Sequence, residues 1–235
     1  MKHLYFILII FINLSIFPHD LWIQKENNSY VLYYGHIHPK QGESKIIPYR
    51  AENVFKYECY NKEGKLIINK FDQSYPVKIT GSCDALFAAF TSGYWSKTFK
   101  GTVNKPKNEV DKSIDSWLSY EYLKKIEVWS DHFTKPLTNE LEIVVIDNPF
   151  NKKLGDKLTF VVFYQQKPVK DIVVAYDERP VGSTDDEGKI NVRIKQNGLQ
   201  MISATLKEKG DGVKADHIVY TTILSFEIKK RKNIY

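Results

Sequence analysis

The chain has 235 residues, 43% apolar and 26% charged, with a formal net charge of +6. That length buries a substantial core, and the balance excludes a disordered chain. Two cysteines exclude a cysteine-rich zinc module, an iron–sulfur protein and a disulfide miniprotein, and lysines scattered along the chain argue against nucleic acid as the partner.

In chain order, a basic Met1-Lys2-His3 precedes a nearly unbroken apolar run, Leu4 to Phe17. Fourteen residues fit a secretory signal and are short for a membrane span, so residues 1–18 read as a signal peptide. No other run is long and apolar enough to cross a bilayer. The chain after cleavage is therefore expected to be exported to the periplasm and not to be an integral membrane protein. The small-x-small pattern before the cut is missing, because Pro18 stands there. Cleavage after Pro18 would make His19 the first residue, whereas cleavage after Ser15 would leave three residues ahead of it.

Short β-like runs follow: Ser29–Tyr34, Val54–Tyr60, Lys65–Lys70, Tyr75–Thr80 and Ala85–Thr91. Fifteen tyrosines and thirteen phenylalanines support β-structure. Val110, Ile114, Trp117, Leu118, Leu123 and Ile126 recur at helical spacing and predict a helix over 110–128. A second β pattern covers Leu141–Ile146, Leu158–Tyr164, Ile172–Tyr176, Lys189–Ile194, Met201–Lys207 and His217–Ile228. The expectation is a mainly β protein: an N-terminal β-rich domain with one helix over 19–133, then a seven-stranded immunoglobulin-like sandwich over 139–228. Residues 229–235 form a basic tail. Export favours a disulfide between Cys59 and Cys83, which would stabilise the fold by about 3 kcal/mol. The competing reading is two buried thiols.

Histidines carry the chemistry. His36 and His38 flank Ile37 at the end of a strand-like run, and on a strand positions i and i+2 share a face. One short hairpin brings His19 back to the same edge. If His19 is the first residue, its α-amine and Nδ1 both become donors. Imidazole and amine nitrogens suit Ni²⁺, Cu²⁺ and Zn²⁺. His132 and His217 read more simply as structural. Trp22, Tyr33, Tyr34, Tyr94 and Trp95 are alternatively a sugar-stacking surface, or simply core. No nucleophile elbow, phosphate-binding glycine loop or helical HExxH is present.

These residues carry a resemblance. His19-Asp20-Leu21-Trp22 after the signal, Gly35-His36, Leu141-Glu142-Ile143-Val144 with Asn148-Pro149, Gly155-Asp156, Thr184-Asp185 with Gly188, and Thr222-Ile223-Leu224-Ser225-Phe226 resemble the DUF4198 family, associated with bacterial nickel and cobalt uptake. The resemblance implies a secreted, two-domain, β-rich metal-binding protein without catalysis. His19 and His36 match the family positions; His38 is added on chemistry alone. The expected function is capture of a transition-metal ion, nickel first and cobalt, copper or zinc next, by His19, His36 and His38, with delivery to a membrane transporter. Two alternatives stand beside it: a carbohydrate- or protein-binding envelope module, and a copper enzyme built on an N-terminal histidine.

Overall fold

Ala85-Leu86-Phe87-Ala88-Ala89-Phe90 has no polar face, and all six side chains are buried. A strand of this kind needs a packed layer on each side. Ala85, Phe87 and Ala89 point into one apolar core and Leu86, Ala88 and Phe90 into another, as the two-residue repeat of a strand requires.

The computed structural model describes residues 19–68 and 70–228. The signal peptide expected over 1–18 and the basic tail expected over 229–235 lie outside the described residues. The strands are β1 (Asp20–Glu26), β2 (Ser29–Gly35), β3 (Val54–Tyr60), β4 (Leu66–Ile68), β5 (Lys78–Thr80), β6 (Ala85–Thr98), β7 (Gly101–Val103) and β8 (Asp115–Ile126), followed by β9 (Glu142–Val145), β10 (Lys157–Tyr164), β11 (Lys167–Pro168), β12 (Val173–Tyr176), β13 (Arg179–Ser183), β14 (Lys189–Arg193), β15 (Gly198–Lys209) and β16 (His217–Ile228).

The central sheet runs in the order β13-β12-β15-β16-β8-β6-β3-β4, with β7 paired to β6. All its pairs are antiparallel except β8 with β16, which is parallel. The small sheet β1-β2-β5 packs on one face, through Leu21, Ile23, Tyr30, Leu32 and Ile79. The sheet of β9, β10, β11 and β14 packs on the other, through Ile143, Val145, Phe160 and Val192. Strands β9, β10 and β14 against β13, β12, β15 and β16 make the seven-stranded, two-sheet arrangement of an immunoglobulin-like sandwich, with β11 as a two-residue addition. The central sheet combines β6 and β8, which precede the boundary expected near residues 133–139, with β12, β15 and β16, which follow it.

The helix expected over 110–128 is not there. Asp115–Ile126 is a twelve-residue strand, and Val110 and Ile114 lie in the irregular segment before it. Among the described residues, the helical pieces are 3-10 turns of three or four residues. The misreading has a physical source. With a core on each face, β8 buries Tyr122 and Ile126 on one side and Leu123 on the other, so the apolar-polar alternation that marks a half-exposed strand is lost.

Two lysines of β8 connect the layers. Lys124 is fully buried; its Nζ donates to Glu142 Oε1 at 2.8 Å and to the Phe133 carbonyl at 3.4 Å. Glu142 also accepts from the backbone N–H groups of Leu137 and Thr138 and from the Thr138 hydroxyl. Lys125 Nζ donates to the Ile23 carbonyl at 3.2 Å and pairs with Glu127 at 3.1 Å, tying β8 to the small sheet.

Cys59 and Cys83 form a disulfide with Cα atoms 5.4 Å apart, inside the expected reach of about 4.4–6.8 Å. No described helix is long and apolar enough to cross a membrane.

Removing one member of a buried ion pair strands the other charge. Lys124→Met is expected to lower unfolding stability by about 3–5 kcal/mol in urea titration. A loss under about 1 kcal/mol would mean that the pair does not hold the layers together.

Candidate metal site at the end of the first hairpin

Asn27 and Asn28 join β1 to β2, with Glu26 opposite Ser29 and Asn27 at φ 53°. A two-residue turn of this kind favours asparagine, which tolerates positive φ. The register then runs without a slip to Asp20 opposite Gly35. This places His19 beside His36: the two rings meet edge-on, with centroids 4.9 Å apart and planes at 63°. The short hairpin expected from the sequence is present, and it brings these two histidines together.

Gly35 is fixed by a close approach. It has φ 148°, and a Cβ there would stand 2.2 Å from the Lys45 carbonyl oxygen. The returning chain bonds on both sides of it, His36 N–H to the Lys45 carbonyl and Ile47 N–H to the Tyr34 carbonyl. Any larger residue would push the returning segment away and take His36 with it.

Strand β2 ends at Gly35, so His36 and His38 do not lie on a strand and the shared-face argument does not apply to them. Asp20 Oδ2 accepts the Ile37 N–H at 3.0 Å and holds the bend between them. His38 reaches across to the β12–β13 turn, where its Nε2 lies 3.0 Å from Asp177 Oδ1. Asp177 and Glu178 form that turn, with φ values of 51° and 64°. His19, Asp20, His38, Asp177, Glu178 and Thr221 line a cleft of about 180 Å³.

His19 Nδ1 lies 2.8 Å from the Tyr34 hydroxyl. Burial pulls the His19 pKa below its ordinary value, and the neighbouring His36 pulls it further. The ring is therefore neutral at neutral pH, the state a metal requires. Burial pushes the Asp20 carboxyl up to about 6, against the Ile37 hydrogen bond, which lowers it. Among the described residues, no group of three His, Cys, Asp or Glu side chains stands ready around one ion. What the hairpin brings into contact is the His19–His36 pair. His38 lines the neighbouring cleft and must release Asp177 to join it.

His132 packs its Cβ 3.3 Å from the position a Cβ on Gly64 would take, and His217 Nε2 lies 3.3 Å from Asp115 Oδ1. Neither lines the cleft. Trp22 is buried and stacks on Tyr33 at 5.6 Å. The Trp95 indole N–H donates to the Ser92 hydroxyl at 3.1 Å. A larger open groove, about 870 Å³, is bordered by Trp22, Lys45, Lys125, Trp129 and Phe150 and contains no histidine.

Sequence reasoning missed Glu121. This residue of β8 is buried on the hairpin side of the sheet, where its Oε1 accepts from the Ser92 hydroxyl at 3.0 Å and the Ser119 hydroxyl at 2.9 Å. Its Oε2 has no partner. Burial pushes its carboxyl up to about 7, despite those hydrogen bonds. The one available signal was an acid inside the mostly apolar run Trp117–Ile126, and the helical reading of that run hid it.

The Glu121 shift has a stability consequence. The folded protein holds this proton to about pH 7, whereas the ordinary value is 4.5. Its contribution is therefore complete below about pH 4.5 and is lost as pH rises through about 7. Glu121→Gln is neutral throughout and is expected to gain about 3 kcal/mol on the wild type between pH 4.5 and 8 in urea unfolding. A pH-independent difference would contradict this.

Comparison with known proteins adds the following. A solved structure of fibronectin(III)-like modules of Clostridium thermocellum CbhA aligns over 92% of this chain and 97% of its own at 14% identity, with a TM-score of 0.26, too low a similarity to argue from. No curated protein matches the chain. The family described as "Domain of unknown function (DUF4198)" matches residues 16–208, which is most of the 235-residue sequence. The chain belongs to the DUF4198 family.

Proposed function

We propose that this protein captures a transition-metal ion, nickel before cobalt, copper or zinc, at the open end of the β1–β2 hairpin, and passes it to a membrane transporter. The observation that carries the reading is the approach of His19 to His36, with ring centroids 4.9 Å apart and the His19 ring kept neutral by burial. Two imidazoles are a nitrogen set suited to nickel, copper or zinc and poorly suited to magnesium or calcium. The nickel preference comes from the family resemblance, because intrinsic affinity favours copper.

A third protein donor has two sources. His38 supplies one if it rotates away from Asp177, and its side chain is exposed enough to do so. The α-amine of His19 supplies the other if the signal peptide is cut after Pro18. The amine chelates together with Nδ1, so this arrangement requires Nδ1 to leave the Tyr34 hydroxyl. Reversible coordination is the whole mechanism in this reading: no bond is made or broken in a substrate, and the proposal is a carrier and not an enzyme. The periplasm is its proposed location, on the apolar run Leu4 to Phe17.

A second reading has one observation in its favour, the groove of about 870 Å³ with Trp22, Trp129 and Phe150 on its border. A groove of that size fits an envelope module that holds a sugar or a peptide.

Calorimetry with the chain starting at His19 separates the two. Ni²⁺ is expected to bind, His36→Ala to weaken binding by at least about 10-fold, and His132→Ala to leave it unchanged. Acid is expected to weaken binding, because protonated imidazole cannot ligate. Unchanged Ni²⁺ and Cu²⁺ affinity after His36→Ala and His38→Ala together would end the metal reading and leave the groove.

A further inference from the structure

Strand β1 is a sheet edge that runs along a groove. In the small sheet it pairs with β2 alone, in the order β1-β2-β5. The groove of about 870 Å³ is bordered by Trp22, Ile23, Gln24 and Lys25. A cavity over the face of a strand meets every second residue, whereas one beside its edge meets consecutive residues. Four residues in succession place this groove along the β1 edge.

The register says which backbone groups point into it. In an antiparallel pair, opposed residues alternate between bonding each other and pointing away. Leu32 stands opposite Ile23, yet its N–H donates to the Val77 carbonyl at 2.9 Å, on the β5 side. Two residues on, the Tyr34 carbonyl turns away in the same manner and accepts from the Ile47 N–H. The residues opposite them on β1 therefore point outward, and by the two-residue repeat so does Lys25, which stands opposite Tyr30. The Ile23 carbonyl shows this directly, since Lys125 Nζ of β8 donates to it at 3.2 Å. A lysine at a sheet edge blunts it against pairing, but this one caps a single carbonyl. The Ile23 N–H and the N–H and carbonyl of Lys25 face the groove.

The side chains around the groove complete the picture. Val128, Phe150 and Leu199 give it an apolar lining. Of its charged groups, Lys125 and Glu127 pair with each other at 3.1 Å, which leaves Lys25 and Lys45 against Glu227, a positive balance.

We propose that this groove binds an extended peptide segment of another protein, which joins the small sheet as a fourth strand along β1. Backbone bonds to Ile23 and Lys25 align the segment, alternate apolar side chains enter the lining, and Lys25 and Lys45 favour acidic residues between them. A groove of this size takes one strand. A second copy of this chain would bring its own groove walls to the same edge, so the occupant is a lone segment and not another β1. The inference develops the groove reading and is independent of the metal reading.

Fluorescence anisotropy on the metal-free chain from His19 to Tyr235 tests it. The probe is a fluorescein-labelled octapeptide that alternates valine with glutamate, used unmodified and in two forms N-methylated at one or the other set of alternate residues. The unmodified peptide is expected to bind. One methylated form is expected to lose at least about 10-fold in affinity, because its edge-facing N–H groups are gone, and the other to keep it. Lys25→Pro removes an outward N–H that the sheet does not use and is expected to cost at least about 10-fold. Lys25→Gln keeps that N–H and is expected to cost less than about 5-fold. The methylated peptides decide the matter on the unaltered protein even if Lys25→Pro fails to fold. Equal affinity of the two methylated forms overturns edge pairing while leaving the groove as a peptide site. Absence of binding by the unmodified peptide overturns the proposal and leaves the groove to a sugar. A chain that sediments as a dimer and becomes a monomer on Lys25→Pro gives the edge to a second copy and overturns it as well.

Discussion

Strand β8 is buried on both faces, and the rest of the molecule is arranged around that fact. A strand with two buried faces is stable only with a layer on each, and the two layers here come from separate stretches of the chain, one before β8 and one after it. The hairpin sheet from the start covers one face; β9, β10 and β14 cover the other. Polar groups carried into such a strand must be fully satisfied, since an unpaired buried charge costs several kcal/mol. Lys124 meets the condition through Glu142, which in turn gathers the 137–138 backbone. Glu121 meets it only in part, with one oxygen satisfied and one not. The first is a structural clamp. The second is an unbalanced group inside the sheet, on the face that the hairpin covers.

That contrast links the core to the candidate site. The hairpin is seated by Leu21, Ile23, Tyr30 and Leu32 on the central sheet and by the Lys125 bond to the Ile23 carbonyl. Its open end therefore has a fixed height above β6 and β8. Tyr34 packs on Phe90 at 4.9 Å and presents its hydroxyl to His19, so the orientation of one exposed-end imidazole is set by residues of two strands beneath it. His38, in contrast, depends on the β12–β13 turn, a separate piece of the central sheet. The histidines of the site thus answer to different supports.

Much of this was legible in the sequence, for reasons that can be traced. Strands with one exposed face announced themselves: Lys189–Arg193 buries Ile190 and Val192 and exposes its other three residues. The pairing of Cys59 with Cys83 followed from the scarcity of cysteine and the apolar N-terminus. The approach of His19 to His36 followed from chain length, because sixteen residues leave room for one hairpin and little else. What failed was the reading of 110–128, where burial on both faces erased the two-residue repeat and accidental i, i+3 and i, i+4 spacings remained. The strand β13 was missed because Arg179-Pro180-Val181-Gly182-Ser183 has low strand preference and lies at the sheet edge. The shared face of His36 and His38 failed because Gly35, needed for the close approach of Lys45, ends the strand first.

The parallel pairing of β8 with β16 governs how the chain can assemble. Tyr120 lies opposite Tyr220, a hundred residues later, and these two strands sit in the middle of the central sheet, not at its rim. Pairings between such distant segments close late, because the entropy of the intervening chain is lost before any contact compensates for it. Until residues 217–228 arrive, the hairpin half and the sandwich half each carry a long unpaired edge that invites pairing with another chain. A protein built this way does better if it stays unfolded until it is whole. Its vulnerable period is the interval between synthesis and arrival of its last central strand, and a holding chaperone would be needed most in that interval.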